Sequence, residues 1–418
     1  MGGRTHFTAV EGDYKKNRLS VYLSAPLSRE SQTATALLPF MLERGTRALP
    51  DMTLLQRRLC ALYGASMTAS YSQFGFARVI DGYISGADGA LLPEGQQIER
   101  ERAMLLGDLL FDPAVSDGAF CDDWLVIEKE KLRETIQSVI NDKREYCYKL
   151  LIERFYEGDG RSLPVDGFES NLGTISARSL YDAYESFLSR CSVEIIYVGR
   201  DAAGRRDIAT DIAARVSSTD EPIAPISFVQ QRETVDIVEE MDVEQDKLAF
   251  AFTSGYTLKA REMAALRVAS ALLGGTPTSR LFVNVREKKS LCYSISSTAS
   301  YESAGGMFID CGISHDDAVK ARSAILHELE NLASDGPTDK EMREIALTFK
   351  NAYGGVRDSS SAINSYVFNC VQRRGELVEP EMQLEELLSV DKGDVRDALS
   401  HLHLNCTCHI SKKGGAER

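Results

Sequence analysis

The chain repeats its own order of elements. Gly45-Thr46 recurs as Gly275-Thr276, 230 residues further on. Each pair follows a strand and a helix and precedes a second helix and strand, so the chain reads as two copies of one α+β unit. In the first copy, Leu-Ser-Val-Tyr-Leu-Ser-Ala at 19–25 alternates as a strand does. Ser31 caps a helix over 32–43, and a helix over 52–63 stops at Gly64. Alternation over 66–85 predicts paired strands turning at Asp81-Gly82. Helices over 93–111, 123–156 and 176–189, a buried strand over 193–198 and a helix over 204–216 complete the copy. The 123–156 stretch carries Glu and Lys at i, i+4 spacing. The second copy has a strand at 247–253, helices at 261–273 and 278–288, and a strand from Leu291.

Between the copies, Ser217, Ser218, Pro222 and Pro225 mark a linker. The expected organisation is therefore an N-terminal domain over 1–216, a linker over 217–235 and a C-terminal domain over 236–418. Each domain is expected to be a mainly antiparallel sheet with helices packed on one face. With 418 residues, the chain exceeds the ~250–300 that one core usually serves.

A formal net charge of -14 argues against nucleic acid and against an anionic membrane surface as partners, because both select clustered Lys and Arg. No run approaches the ~20 apolar residues of a membrane span, and no signal-peptide core follows the N-terminus. Gly2 lacks the Ser or Thr that myristoylation selects, since His6 stands there. Nine cysteines without a Cys-x-x-Cys pair read as reduced, mostly buried thiols, and the expected compartment is the cytoplasm.

The six histidines are His6, His315, His327, His401, His403 and His409. A helical zinc-hydrolase motif needs two of them at i, i+4 with a Glu beside them, and no pair stands so. His401, His403 and His409 lie near Cys406 and Cys408, which leaves a metal cluster as one reading and a helix end followed by an edge strand as the other. Gly274-Gly275 and Gly354-Gly355 lack the Lys-Ser/Thr of a phosphate loop. No Gly-x-Ser-x-Gly elbow occurs. Cys121 and Cys292 have no His nearby in sequence.

The stretch 272–299 reads Leu-Leu-Gly-Gly-Thr-Pro-Thr-Ser-Arg-Leu-Phe-Val-Asn-Val-Arg-Glu-Lys-Lys-Ser-Leu-Cys-Tyr-Ser-Ile-Ser-Ser-Thr-Ala. It resembles the C-terminal domain of the pitrilysin/insulinase-type zinc peptidases, the family of the mitochondrial processing peptidase. There the segment runs roughly Leu-Gly-Gly-Gly-x-Ser-Ser-Arg-Leu-Phe and then Leu/Ile-Arg-Glu-Lys-Arg-Gly-Leu-x-Tyr-Ser. The family's Arg and Tyr fall on Arg286 and Tyr293, and the resemblance implies that they bind the substrate peptide near its scissile carbonyl. The family's His-x-x-Glu-His, aligned on Gly45-Thr46, falls on Ala36, Pro39 and Phe40. None of these can ligate zinc or serve as a base, and Pro39 removes a helix hydrogen bond. The third ligand's region, 128–136, offers Glu134. Arg161-Ser-Leu-Pro164 and Gly173-Thr-Ile175 stand where the family has its Gly-Arg-Pro-Ile-x-Gly-Thr-type loop, so the likeness covers most of 15–410.

The resemblance implies a non-catalytic, substrate-binding subunit of a heterodimeric zinc endopeptidase acting on peptides or unfolded segments. Arg286 and Tyr293 would be supplied in trans, no metal or other cofactor would be bound by this chain, and zinc would sit on a partner carrying His-x-x-Glu-His. The other readings are a scaffold or binding protein with the peptidase fold and no proteolytic role, and an active enzyme with a metal site at His401, His403 and His409.

Overall fold

The computed structural model describes residues 5–217, 219, 221–302 and 304–413. Gly2 and the linker's Ser218 lie outside the described residues. The chain packs as two compact units. The first gathers the chain up to Ile136, Leu163–Ala224 and Val356–Leu377. The second gathers Gln137–Ser162, Pro225–Gly355 and the chain from Val378.

The first unit's sheet contains β1 (Thr5–Glu11), β2 (Lys16–Pro26), β3 (Ser66–Phe74), β4 (Ala77–Ala87) and β5 (Ser192–Gly199), in the order β1-β5-β2-β4-β3. The second unit's sheet contains β6 (Val235–Met241), β7 (Asp246–Thr253), β8 (Cys292–Ser300), β9 (Gly306–Ile313) and β10 (His403–Lys412), in the order β6-β10-β7-β9-β8. The two orders are the same, strand for strand. In each sheet the first strand pairs in parallel with the last, and every other pairing is antiparallel. The class is thus α+β with two similar halves.

Alternation along the strands decides which side chains meet the helices. In the first unit, Leu19, Val21, Leu23 and Ala25 of β2 pack with Leu37, Leu38, Met41 and Leu42 of the helix Gln32–Leu42. Burying one such leucine contributes about 1.5–3 kcal/mol. In the second, Leu248, Phe250 and Phe252 of β7 pack with Leu266 and Leu273.

The opposite faces are covered as well, each by one helix drawn from the chain's other half. In the first unit the helix Ser360–Arg374 lies on β2 and β5. Phe368 stacks on Tyr22 at 3.9 Å between ring centroids, and Asn364 Nδ2 donates to the Tyr22 hydroxyl at 2.7 Å. In the second unit, Cys147, Leu151 and Phe155 of the helix Lys143–Phe155 pack against Ala249, Ala251, Cys406, Cys408 and Ile410. The layering expected from sequence therefore gains one helix behind each sheet.

Two local expectations are corrected. The single helix expected over 123–156 is two helices, Asp122–Ser138 and Lys143–Phe155. Asp142 caps the second by accepting from the Arg144 and Glu145 amides, and that cap ends the continuity which the Glu/Lys spacing suggested. The hairpin expected to turn at Asp81-Gly82 turns at Gly75, whose φ is +53°. Gly82 instead lies within β4, where a Cβ would stand 3.0 Å from a Leu110 methyl.

All nine cysteines are free thiols, and seven are buried. Among the described residues, no helix is long and apolar enough to cross a membrane.

Candidate functional site

The first unit places Ala36, Pro39 and Phe40 on the helix Gln32–Leu42; it begins after Ser31 as expected, but the Ser31 side chain makes no capping hydrogen bond, because its backbone is already helical. Ala36 is wholly buried in the helical core, and Phe40 meets the Tyr71 ring edge-on at 6.0 Å. The helix runs through Pro39, which has no amide hydrogen to give to the preceding turn. A methyl, a pyrrolidine and a phenyl ring offer no lone pair to a zinc ion, so a zinc site does not fit these residues. Glu134 is exposed on the helix Asp122–Ser138. The buried carboxylate of that helix is Glu128, and it is committed elsewhere. Arg44 Nε donates to Glu128 Oε1 at 2.7 Å, Arg44 Nη2 closes on the same oxygen, and Lys131 Nζ stands 3.0 Å from it. Among the described residues, no group of three or more His, Cys, Asp or Glu is arranged to hold a metal ion.

The C-terminal His/Cys cluster does not assemble. Cys406 and Cys408 point into the core behind β10, and burial pushes the Cys406 thiol up to about 12. His403 is exposed, while His401 meets the Tyr256 ring edge-on at 5.6 Å. His409 Nε2 lies 2.9 Å from Asp246 Oδ2, an oxygen shared with His315 Nδ1 at 3.0 Å. The Lys412 amide donates to the other oxygen at 3.0 Å, so the fully buried Asp246 ties three segments together. The expected edge strand is also corrected: β10 is internal, between β6 and β7.

The second unit brings Arg286 and Tyr293 together. After the helix Ala260–Ser270, the backbone widens into π-helical turns over Ala271–Gly275 and again over Leu281–Lys288. Such widened turns are rare and concentrate at functional sites. Arg286 lies in the second. Its Nε donates to the Tyr293 backbone carbonyl at 2.8 Å, and its guanidinium stands over the Phe282 ring at 4.3 Å. Its two Nη groups have no hydrogen-bond partner among the described residues. On β8, Cys292 faces Ile313 and Ser294 faces Gly312, so Tyr293 is the extra residue of a β-bulge. A bulge re-aims the side chain it carries. The Tyr293 phenol is 60% exposed, whereas its neighbours Cys292 and Ile295 are buried. Burial pushes the Cys292 thiol up to about 11, with the nearby Arg286 charge opposing, which leaves it a packing group rather than a nucleophile.

Three contacts that sequence reasoning missed hold the Arg286 segment. Arg280 Nε donates to Glu341 Oε1 at 2.8 Å, and Arg280 Nη2 to the Gly336 carbonyl at 2.8 Å. Asn284 Nδ2 donates to Glu328 Oε2 at 2.8 Å. Glu341 also closes a capping box with Thr338, at the start of the helix Asp339–Gly354. Thr338-x-x-Glu341 was a readable signal for that cap; nothing in sequence linked it to Arg280. Burial raises the Glu341 carboxyl, but the hydrogen bonds from Arg280 and Thr338 outweigh it and hold it at about 2.

Residues 174–348 match the family model described as the peptidase M16 inactive domain. The chain is 25% identical over 417 residues to YmfF of Bacillus subtilis, a probable inactive metalloprotease, covering 99% of this chain and 97% of that protein. It is 24% identical over 245 residues to YmxG of Bacillus subtilis, an uncharacterized zinc protease, covering 57% of this chain and 56% of that protein. A solved conserved protein from Enterococcus faecalis shares the fold, with a TM-score of 0.88 at 23% identity over 98% of this chain and 96% of that one. The chain is thus similar to the M16 peptidases, with the inactive-domain match confined to residues 174–348, and this is the likeness that the 272–299 motif indicates.

Proposed function

We propose, for a chain that carries the M16 inactive domain, that it is the substrate-holding, non-hydrolytic half of a two-chain zinc endopeptidase. Zinc and general base belong to a partner bearing His-x-x-Glu-His, and this chain supplies Arg286 and Tyr293. The observation that carries the reading is the paired presentation of these side chains. One contact to Tyr293's own carbonyl fixes Arg286 and leaves both Nη groups unengaged, while the bulge turns the Tyr293 phenol outward. A guanidinium and a phenol are donors that can hold a peptide carbonyl and the oxyanion that grows from it. The first unit supports the division of labour, because its motif positions are filled by packing groups. The existence of a relative named as a zinc protease, YmxG, supplies the kind of partner required. Nine free thiols favour the cytoplasm as the compartment.

The test is to co-purify the chain with a zinc-motif homologue from the same genome and to assay peptide cleavage. Arg286→Ala should lower the pair's kcat by about 10²–10³, the usual loss for a removed oxyanion donor, and Tyr293→Phe by less. Unchanged activity in both variants would refute the role in trans. The second reading, a scaffold without a proteolytic role, is favoured by the name that YmfF carries. It would prevail if the chain formed a stable complex containing no zinc peptidase.

A further inference from the structure

The turn between Arg286 and Tyr293 also forms one wall of a groove. Lys289 and Leu291 line that wall, and Lys320, Ser323, Ala324, Leu326, His327 and Glu330 of the helix Ala318–Asp335 line the other. The groove is shallow and open to solvent, with a volume of about 790 Å³. Its floor is apolar: Ala324 is buried and Leu326 half-buried. Its cationic rim is unusual in a chain of net charge -14. Lys289 has no hydrogen-bond or ion-pair partner among the described residues. Lys320 stands 3.2 Å from Asp317, so it is already part-neutralised, and Glu330 sets a negative charge at the same groove. The free cation is therefore Lys289, three residues from Arg286. Charges act over about one Debye length, ~8–10 Å, so this local cation rather than the distant acidic surface decides what is attracted here.

We infer that this groove is a side-chain subsite for the held peptide, and that it selects a single carboxylate, Asp or Glu, with an apolar neighbour resting on Leu291 and Leu326. The inference rests on the reading of Arg286 and Tyr293 as peptide-holding residues. One unpaired lysine beside Glu330 matches one carboxylate; a run of acidic residues would meet Glu330 and Asp317 and be repelled.

The probe is a short peptide with one Glu beside a Leu, labelled with an uncharged dye. Its fluorescence anisotropy is measured with the full chain at low and at physiological salt, against the same peptide with Gln for Glu. The Glu peptide should bind about two- to fivefold more tightly than the Gln peptide, in the range of an exposed ion pair, and the preference should shrink with salt. Lys289→Glu should reverse the preference, and Lys289→Arg should keep it. Lys289 is exposed, so neither substitution threatens the fold. Arg286→Ala should weaken both peptides alike and leave the preference intact. Equal binding of the Glu and Gln peptides to the unmodified chain would overturn the subsite while leaving peptide holding in place. Binding of neither, to the chain alone and to its complex with the zinc-motif homologue, would overturn both.

Discussion

The two Gly-Thr segments stand at the same place in the same fold and are used in opposite ways. Before Gly45-Thr46 the chain makes a regular helix whose residues are nearly all buried, and the adjoining charge, Arg44, is closed off by Glu128. After Gly275-Thr276 the helix is widened to π geometry and the following strand is bulged, and Arg286 and Tyr293 are left with donors to spare. Equal topology thus permits either packing or presentation. Irregular backbone, more than strand order, separates the unit that closes from the unit that displays.

The comparison is broken most forcefully in the closed unit. Glu128→Ala should destabilise it by about 3–5 kcal/mol, because Arg44 is left as a part-buried charge without a carboxylate; chemical denaturation measures this, and a loss under 1 kcal/mol would mean that the closure is incidental. In the displaying unit, Glu341→Gln removes charge-assisted hydrogen bonds from Arg280 and Thr338 and should cost about 1–3 kcal/mol. The sign with pH follows from the lowered carboxyl. Glu341 stabilises fully above its ordinary value of 4.5, and this contribution is lost as pH falls toward about 2. An acid titration of stability should accordingly be flatter for Glu341→Gln than for the parent between those limits.

A smaller effect concerns the turn itself. Ser290 stands where the related peptidases have Gly and adopts φ +53°. Relief of left-handed strain, about 1–2 kcal/mol, against the extra chain entropy of glycine, about 0.4–1 kcal/mol, leaves Ser290→Gly about 0.5–1 kcal/mol more stable. A thermal melt with no gain would show that Ser290 earns its conformation through contacts of its side chain. The smallest effect sharpens the contrast most: Arg286→Ala should change stability by only about 0.5 kcal/mol, since one backbone hydrogen bond and the contact over Phe282 are lost and no buried ion pair is broken. A larger loss would make it a structural residue like Arg44.

Much of this was legible in the sequence. The strand read at 193–198 lies within β5, and the one at 247–253 within β7, because both alternate or run apolar into a buried sheet. Arg286 and Tyr293 were found by motif, and Ala36, Pro39 and Phe40 by its failure. The edge strands β1 and β6 were not foreseen. Each is held by a parallel strand far along the chain, Thr5 opposite Val193 and Val235 opposite Cys406, and β6 carries Glu239 and Glu240 within its run. The π-helical turns and the bulge at Tyr293 were illegible too. Both are departures from period that composition does not encode, and both decide where the two donors point.

The helices that back the two sheets carry a consequence for synthesis. Tyr22 of β2 receives its cover from Asn364 and Phe368, which leave the ribosome some 340 residues later. Until then that face of the first sheet emerges without its native cover, a state that invites aggregation and chaperone capture. The helix Lys143–Phe155, by contrast, is made early and waits for β7 and β10. The order of translation therefore does not permit the first unit to mature until Val356–Leu377 has emerged, long after its sheet is made.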